Sequence, residues 1–462
     1  MTRTRGLLPF LLATILLGGY LLLGVREPAR AASAPLRDLT LFSEAFHIIR
    51  THYFDTAAID SHDLVEAAIE GMIDRLDDHT HYLPPQAASE LAVETEGEFG
   101  GLGIVIGIEE GELTVISPIE GTPAWEAGLQ AGDKVLVIGD TGTEGMALQT
   151  AVSLLRGPVG TNVTIRVRRA GTPAPFAVTL TRATIQPDSV KGTTLPDGIA
   201  YLRITSFTER TAEELDAAWG RIARENPRAI VLDLRDNPGG VLNAGVAVAD
   251  RFLDTGMIVE IRSRTAEMNR TYLASRAPTF PNLPLAVLVS RGSASASEIV
   301  AGAVRDQHRG RLFGQRTFGK GSVQSVIQLS DGSSIAITSA KYFTPSGVSI
   351  HGTGITPDVA VETEPFSDTE ILAARYLETV QSFREFGRHH ERYTDADLDV
   401  FAKVLSDTGL VVGRRPLSRI VAGEIVRHHS SLLLFPELDR GLDAAIRWLR
   451  SEIDRARLPA AA

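Results

Sequence analysis

The chain has no cysteine in its 462 residues. Disulfide bonds, thiolate zinc sites and cysteine nucleophiles are therefore excluded. Basic residues are also scarce, because 46 lysines and arginines stand against 57 acidic residues, which gives a formal net charge of −11. Such a surface does not neutralise phosphates, so nucleic acid is not an expected partner. The apolar content of 44% is that of a globular protein, and the length predicts two to four structural units.

A long uncharged run, rich in leucine, extends from Gly6 to Val25 behind Arg3 and Arg5. About 20 residues at roughly 1.5 Å each can cross a hydrocarbon core of about 30 Å. Residues 1–35 are therefore predicted to be a signal anchor, or a signal peptide cleaved at a small-x-small site within 29–34. A buried helix of the folded domain is the third interpretation. With the arginines held inside, the rest of the chain is expected on the periplasmic side of the inner membrane.

Changes of composition divide the remaining chain into four segments. Residues 36–97 have apolar residues at helical spacing, a pattern that Pro84-Pro85 is expected to stop. Residues 98–183 hold short β-branched runs punctuated by glycine, which predict a small, partly open sheet domain. Residues 184–362 hold continuous apolar runs, each followed by glycine and a helical pattern, as in an α/β core. Residues 363–462 are charged and helical, and are interpreted as a packing or oligomerisation segment without chemistry.

The periodicity also places individual elements. Strands of the sheet domain are predicted at Gly103–Ile108, Leu113–Ile116, Val135–Ile138 and Val163–Val167. Its two short helices are predicted at Pro123–Ala127 and Leu148–Leu155. Buried strands of the α/β core are predicted at Ile230–Leu234 and Leu285–Val289. The C-terminal helices are predicted at Ile371–Phe386, Asp395–Ser406 and Leu438–Ile453.

The segment Pro284–Val304 predicts a strand, a tight turn and a helix. Such a turn exposes a side chain at the carboxyl end of a strand, where open α/β sheets place their sites. Free backbone N–H groups and the positive end of the helix dipole would stabilise a developing oxyanion there. Ser295 is thus a candidate nucleophile. Ser295 and Glu298 also fit a capping box, however, and helix caps are the commoner role for a serine at this position.

A serine nucleophile needs a base, and His308 is the nearest histidine along the chain. If the helix runs on from Ser295 to His308, the two lie about 20 Å apart, which excludes a direct hydrogen bond. The same arithmetic places Asp306 about 16 Å from Ser295, so neither residue is a natural partner. The role of Asp306 stays open.

Lys320 is the alternative base. Its neighbours Gly319 and Gly321 allow close approach of the backbone to other elements and turn the lysine inward. Gln324 lies on the same face of the strand-like run that follows, so its amide can orient the ammonium. Burial among apolar residues favours the neutral amine that a base requires. A surface lysine in a hairpin is the competing interpretation.

One further motif was tested. Residues 314–320 match the first seven positions of a phosphate-binding P-loop, but the eighth position is Gly321 instead of Ser or Thr. A strand-like run follows in place of a helix. Without the magnesium-binding hydroxyl and the helix N-terminus, the phosphate cradle fails.

Six motifs stand in order along the chain, at Phe99–Ile104, Ala127–Val135, Val231–Gly240, Gly292–Glu298, Thr317–Gln324 and Tyr342–Gly347. Together they resemble those of the carboxyl-terminal processing peptidases, the tail-specific proteases that use a serine–lysine dyad. The resemblance implies an α/β multi-domain fold with a ClpP/crotonase-like serine-protease core and an inserted PDZ-like β domain. It also implies helical N- and C-terminal segments.

The resemblance implies the site residues as well. The nucleophile, the general base and the lysine-orienting amide fall on Ser295, Lys320 and Gln324. The oxyanion hole falls on the backbone N–H groups of Ala296 and of either Gly239 or Gly240. No cofactor and no metal are expected.

Residues 98–183 resemble the PDZ domain of the family. Its peptide-binding stretch, which offers backbone N–H groups to a terminal carboxylate beside an edge strand, would be Gly101, Leu102, Gly103 and Ile104. A plain turn is the alternative for so glycine-rich a stretch. In some members an arginine that matches Arg156 senses the bound peptide and moves the PDZ domain off the active site.

The function predicted from these residues is that of an ATP-independent serine endopeptidase that recognises C-terminal tails. The alternatives are an inactive PDZ scaffold that only binds protein C-termini, and a hydrolase of small esters. Expected partners are protein substrates with apolar C-terminal tails, an adaptor protein, further copies of the chain in a homo-oligomer, and the inner membrane.

Overall fold

The structure is a computed structural model that describes residues 33–55, 60–109, 111–119, 121–130, 132–169, 171–275, 280–362, 364–429 and 432–456. The predicted signal or anchor run, Gly6–Val25, lies outside these residues and stays a prediction. Within the described ranges, no helix combines the length and the apolar character needed to cross a membrane. The described residues separate into two compact units, divided between Tyr82 and Leu83.

The first unit is helical, as its apolar spacing predicts. It contains α1 (Ser33–His52) and α2 (Ser61–Ile73), followed by the short strand β1 (His81–Leu83) at the boundary. The second unit opens with α3 (Pro85–Glu96). The interpretation of Pro84-Pro85 as a helix stop is wrong, because α2 ends well before it and Pro85 begins α3. Proline is accepted at the first position of a helix, where its missing N–H would have no partner.

The small sheet domain follows α3. Its strands are β2 (Phe99–Gly101), β3 (Ile104–Glu109), β4 (Glu112–Pro118), β5 (Lys134–Ile138), β6 (Thr141–Gly142), β7 (Asn162–Arg168), β8 (Phe176–Thr181) and β9 (Ala183–Ile185). Its helices are α4 (Pro123–Glu126) and α5 (Leu148–Leu155). The main sheet has the order β3-β4-β5-β7-β8, so β3 is an edge strand. Strands β2 and β9 pair antiparallel and form the ribbon by which the chain enters and leaves this domain.

The α/β core carries a six-stranded sheet. In chain order its elements are β10 (Val190–Leu195), β11 (Ile199–Ile204), α6 (Thr211–Ile222), β12 (Ala229–Asp233), α7 (Leu242–Asp250), β13 (Met257–Ser263), β14 (Arg270–Leu273), β15 (Leu285–Val289), α8 (Ala296–Asp306), β16 (Arg311–Gly314), β17 (Ser322–Gln328), β18 (Ser334–Phe343) and β19 (Val359–Ala360). The sheet order is β10-β11-β12-β15-β16-β19, and all neighbours but β10 and β11 are parallel. Strands β13, β14, β17 and β18 pair antiparallel in a second sheet.

The C-terminal segment is helical, with α9 (Asp368–Thr379), α10 (Gln381–His389), α11 (Asp395–Ser406), α12 (Arg414–Arg427) and α13 (Arg440–Arg455). The single helix predicted at Ile371–Phe386 is wrong, because Val380 is extended (φ −83°, ψ 115°) and separates α9 from α10. Helix α12 was not predicted. Its first turn is rich in arginine, so its apolar periodicity is hard to recognise in the sequence although its apolar face packs inward.

Both faces of the six-stranded sheet are covered, which explains its continuous apolar runs. Ile230 and Leu232 pack with α6, α7 and α8 on one face. Val231, which points the opposite way, packs with Leu449 and the rest of the apolar stripe of α13 on the other face. The last helix of the C-terminal segment is therefore part of the α/β core. The predicted α/β multi-domain fold is confirmed, whereas its ClpP/crotonase-like detail and the domain boundaries stay predictions.

Candidate active site

Ser295 occupies a strained turn between β15 and α8. Its backbone has φ 53° and ψ −112°, in a region that residues with a Cβ rarely adopt. Such a conformation costs on the order of 1–3 kcal/mol and persists only where the surrounding structure holds it. The residue is half-buried, directly beyond the buried strand β15, as the sequence predicts.

The hydroxyls of the neighbouring serines donate to backbone carbonyl groups of another turn, and no such bond of Ser295 is found among the described residues. The hydroxyl of Ser293 donates to the carbonyl oxygen of Leu234 at 2.7 Å, and that of Ser297 donates to the carbonyl oxygen of Asn237 at 3.0 Å. The predicted capping box of Ser295 and Glu298 is present, and the Glu298 carboxylate accepts from the Ser295 N–H at 2.9 Å.

The turn that carries Lys320 lies against residues 350–354. A Cβ added to Gly319 would lie 2.9 Å from the Gly354 nitrogen, and one added to Gly321 would lie 2.6 Å from the His351 nitrogen. Only glycine allows this approach on both sides of the lysine. Lys320 is half-buried, and its ammonium makes no hydrogen bond or ion pair within the described part of the chain. Strand β17 follows at once, which excludes the helix that a P-loop needs.

Glu298 joins the nucleophile turn to the lysine turn. Its fully buried carboxylate accepts hydrogen bonds from the Ser295 N–H, the Thr317 hydroxyl, the Gly319 N–H and the Lys320 N–H, at 2.9, 2.5, 2.8 and 2.9 Å. Burial raises the pKa of Glu298, and the four hydrogen bonds oppose that rise. Sequence reasoning recognised Glu298 only as a cap, because its other partners lie on a segment about twenty residues farther along the chain.

Gln324 lies on β17, next to the lysine turn. Its Nε2 donates to the Thr338 Oγ1 at 2.8 Å, which fixes the direction of the amide. Its Oε1 is buried and has no hydrogen-bond partner among the described residues. An orphaned acceptor of this kind is costly unless a donor reaches it in another state.

The turn Asn237–Gly240 packs against the turn that carries Ser295. Asn237 is buried; its Nδ2 donates to the Ile204 carbonyl oxygen at 2.9 Å and its Oδ1 accepts from the Gly239 N–H at 2.9 Å. A Cβ added to Gly239 would lie 2.7 Å from the Ser295 Cβ, which shows how close the two turns are. The N–H groups of Gly240 and Ala296 have no partner within the described residues.

His308 and Asp306 lie at the far end of α8. The helix ends at Asp306, and His308 follows its C-terminal cap with φ 53°. The Asp306 carboxylate accepts from the Ser346 N–H at 3.1 Å. Burial would raise the pKa of Asp306, but hydrogen bonds from Thr344, Ser346 and Arg305 outweigh burial and lower it. Asp306 therefore fixes a turn, which gives it a structural role.

A groove of about 180 Å³ lies beside the free edge of β3. It is lined by Phe99, Gly101, Leu102, Gly103, Ile104, Ile106, Val152, Leu155 and Arg156. The carbonyl groups of Leu102 and Gly103 accept from Ala124 and Ile119, at 2.9 and 2.8 Å. Their N–H groups have no partner in the described residues, so they are available to a ligand.

A second cavity, of about 510 Å³, lies between this domain and the Asn237–Gly240 turn. Gly239, Gly240 and Phe207 line one side of it. Phe99 and Arg156 line both this cavity and the groove, and the Arg156 guanidinium lies 4.3 Å from the centre of the Phe99 ring. The two residues therefore form a common wall between the spaces.

Comparison with known proteins decides the family. Residues 198–361 match the model of peptidase family S41, and residues 114–169 match that of the PDZ domain. The carboxy-terminal-processing protease of Bartonella bacilliformis is 41% identical over 330 residues, which are 71% of this chain and 75% of that protein. The chain belongs to peptidase family S41. It is thus a serine-type peptidase with a PDZ domain, as its motifs predict.

Further relatives agree with the S41 assignment. The carboxyl-terminal-processing protease of a Synechocystis species is 40% identical over 314 residues, which are 66% of this chain and 73% of that protein. Among solved structures, the photosystem II D1 C-terminal processing protease is 32% identical, covers 70% of this chain and 92% of its own, and has a TM-score of 0.42. The family is assigned from the sequence relatives.

Proposed function

We propose that this S41 peptidase is an ATP-independent endopeptidase that binds C-terminal tails of protein substrates through its PDZ domain and cleaves by a Ser295–Lys320 dyad. The observation that carries the proposal is the junction at Glu298, which holds the strained serine turn and the lysine turn together. Each turn alone has a structural interpretation. Their junction brings a hydroxyl and an amine onto adjoining turns, as nucleophile and base require.

In the proposed reaction the Ser295 Oγ attacks the scissile carbonyl carbon while the neutral Lys320 Nζ takes the hydroxyl proton. The carbonyl oxygen becomes an oxyanion, which receives hydrogen bonds from the N–H groups of Ala296 and Gly240. Lys320 then passes the proton to the leaving amine, the C–N bond breaks, and an acyl-enzyme ester remains. Water, deprotonated by the same lysine, hydrolyses the ester. No nucleotide enters any step.

Two features support the assignment of the accessory groups. The Gly239 N–H is already taken by the Asn237 side chain, whereas that of Gly240 is free, so Gly240 is the better oxyanion donor. The buried Gln324 Oε1 lacks a donor, and the ammonium formed on Lys320 would supply one. Gln324 is therefore proposed to orient the lysine.

The groove beside β3 is the proposed site for the substrate tail. An extended peptide can pair with the free edge of β3, while the N–H groups of Leu102 and Gly103 receive its terminal carboxylate. Ile104, Val152 and Leu155 give the groove an apolar lining, which favours apolar tails. The adaptor and the homo-oligomer stay predictions.

The dyad is tested with purified protein, a globular substrate bearing an apolar C-terminal tail, and no ATP. Ser295→Ala and Lys320→Ala should each lower kcat by roughly 10³-fold or more, because each removes a side chain whose bonds are made or broken in the proposed reaction. Binding of the tail peptide to the PDZ domain should be unchanged. Ser325→Ala and Lys341→Ala, on neighbouring strands of the same sheet, are the matched controls and should keep full activity.

The outcomes separate the alternatives. Undiminished proteolysis by Ser295→Ala or Lys320→Ala would refute the dyad. Tail binding without any turnover by the unaltered chain would favour the inactive scaffold. Hydrolysis of small esters without cleavage of tailed proteins would favour the esterase.

A further inference from the structure

Tyr342 is held in the core next to both proposed catalytic turns. Its N–H donates to the Gly321 carbonyl oxygen at 3.0 Å, and on its other side it is the register partner of Ile261 in β13. Its ring is 2% exposed and packs in the main hydrophobic core. The backbone on both sides therefore fixes where its hydroxyl lies.

The Tyr342 hydroxyl lies between the two proposed catalytic turns. It donates a hydrogen bond to the main-chain carbonyl oxygen of Lys320. The Ser295 side chain interacts with the same hydroxyl as a donor, which lowers the pKa of Tyr342 against the effect of burial. Glu298 makes the corresponding bridge through the N–H groups of Ser295 and Lys320. The N–H and the carbonyl of Lys320 are thus each held by a side chain that also contacts Ser295.

The environment of the phenol decides what it can do. Burial, as the largest cause, raises the pKa of Tyr342 far above its usual value, so the hydroxyl stays protonated at neutral pH. A protonated phenol cannot act as a general base. Its only proton is directed at the Lys320 carbonyl oxygen, so toward Ser295 it accepts a hydrogen bond.

We infer that Tyr342 is a further residue of the catalytic centre, one that positions the Ser295 hydroxyl relative to the lysine turn. The inference rests on the proposed serine–lysine function. In the resting enzyme the serine proton is held by a neutral acceptor, and the hydroxyl keeps one rotamer. The lysine amine then meets the nucleophile in a fixed place, and a displacement of about 1 Å at such a centre can cost about 10²-fold in rate.

The first test is Tyr342→Phe, which keeps the ring and removes only the hydroxyl. It should lower kcat about 10-fold or more and leave KM within about two-fold, because tail binding in the PDZ groove is untouched. Tyr201→Phe is the matched control, since Tyr201 is equally buried and donates to Asp233 at 2.6 Å, away from the dyad. It should lower Tm but keep kcat within about two-fold of the unaltered enzyme.

A kcat for Tyr342→Phe within two-fold of the unaltered enzyme, or a change in KM alone, would overturn the inference. So would an equal loss of kcat in both tyrosine variants.

The second test requires no proteolysis. The Tm values of Ser295→Ala, Tyr342→Phe and the double variant form a cycle, and the two shifts should add to more than the shift of the double variant, because Ser295→Ala already removes the partner. Additive shifts would contradict the contact. If Ser295→Ala still cleaves tailed substrate, the proposed function fails, yet the cycle still reports whether the two hydroxyls meet.

Discussion

At the scale of single residues, Glu298 illustrates how burial changes the role of a common local motif. Glu370 occupies the same third position of a helix behind Ser367 and likewise accepts from the N–H of its cap residue, at 2.7 Å. Glu370 is half-buried at a helix start, whereas Glu298 is fully buried and receives three further hydrogen bonds from the lysine turn. The same motif therefore caps a helix in one place and joins two functional turns in the other.

Glu298→Gln should lower both stability and activity. A glutamine offers one carbonyl oxygen to the four donors, and its NH₂ group would face N–H groups. We expect the free energy of unfolding to fall by about 2–3 kcal/mol and kcat to fall by roughly 10²-fold. Urea unfolding and the tailed-substrate assay measure the two effects.

Glu370→Gln is the matched control and should cost less than about 1 kcal/mol, with no change in kcat. Equal effects of the two substitutions would mean that Glu298 is only a helix cap.

Residue-scale sequence reasoning identified the serine by its turn and its family motif, but it could not separate a cap from a nucleophile. The separation needs tertiary contacts: the backbone carbonyl oxygens of Leu234 and Asn237 accept from the hydroxyls of Ser293 and Ser297, which gives those two serines a structural role. Those acceptors lie about sixty residues earlier in the chain. No local pattern encodes such pairings.

At the scale of elements, an ion-pair network joins β12 to α13. Arg235, just beyond β12, lies 2.6 Å from the buried Asp233 and 2.7 Å from Asp439, the N-terminal cap of α13. Burial alone would raise the pKa of Asp233, but Arg235, Arg203 and the Tyr201 hydroxyl outweigh burial and lower it. Strand β12, which precedes the turn Asn237–Gly240, is thus joined by ion pairs to the C-terminal helix α13.

This network predicts a specific loss of stability in acid. A carboxyl whose pKa is lowered on folding stabilises the folded state above its ordinary value of 3.8, and the contribution is lost as the pH falls below that value. Asp233→Asn should be less stable by about 3–5 kcal/mol at neutral pH, because it leaves Arg235 without its buried partner. Its stability should also fall less steeply between about pH 5 and pH 3.

Urea unfolding over this pH range checks the expectation. Asp407→Asn is the control, because Asp407 is exposed and its ion pair among the described residues is with the exposed Lys403. If the free energy of unfolding falls equally steeply between pH 5 and pH 3 in the unaltered enzyme and in Asp233→Asn, the expectation is contradicted.

The elements themselves were largely predictable. The strand at Leu285–Val289 and the helices at Leu148–Leu155 and Asp395–Ser406 have the predicted bounds. The periodicity that marks an amphipathic element is local, so it can be read from the sequence. The packing of α13 on the second face of the sheet could not be predicted, because an apolar stripe shows that a helix face is buried but not which element covers it.

At the scale of the molecule from Leu83 onward, the groove beside β3 and the cavity beside Gly239 are bounded by one shared pair of side chains. Arg156 and Phe99 line the groove on one side and the cavity beside Gly239 on the other. A peptide in the groove is therefore expected to contact the pair that also bounds the cavity beside Gly239. We propose that Phe99 acts with Arg156 in the predicted sensing of the bound peptide.

Arg156→Ala should uncouple the two spaces. With the cation–π contact removed, we expect kcat/KM for a tailed protein to fall about 10-fold, in line with a contact of roughly 0.5–2 kcal/mol. Labelling of Ser295 by a small fluorophosphonate should be unchanged, because that reaction bypasses the groove. The comparison of the two rates is the measurement.

Arg392→Ala removes a similar contact, 4.7 Å from the Phe435 ring in the C-terminal segment, and should change neither rate. If Arg156→Ala slows both reactions equally, the pair acts on the dyad itself and not on its coupling to the tail.

The β2–β9 ribbon has a consequence for how the enzyme is assembled. Phe99 and Ile185 are register partners, so the chain enters the PDZ domain from α3 and leaves it toward β10 at neighbouring points. Antiparallel partners lie about 5 Å apart, a gap that a two-residue turn can close. We therefore expect that the PDZ domain can be removed or exchanged by closing the chain between Phe99 and Ile185, while the α/β core stays whole. The proposed tail selectivity and the proposed bond cleavage would then be separable at this seam.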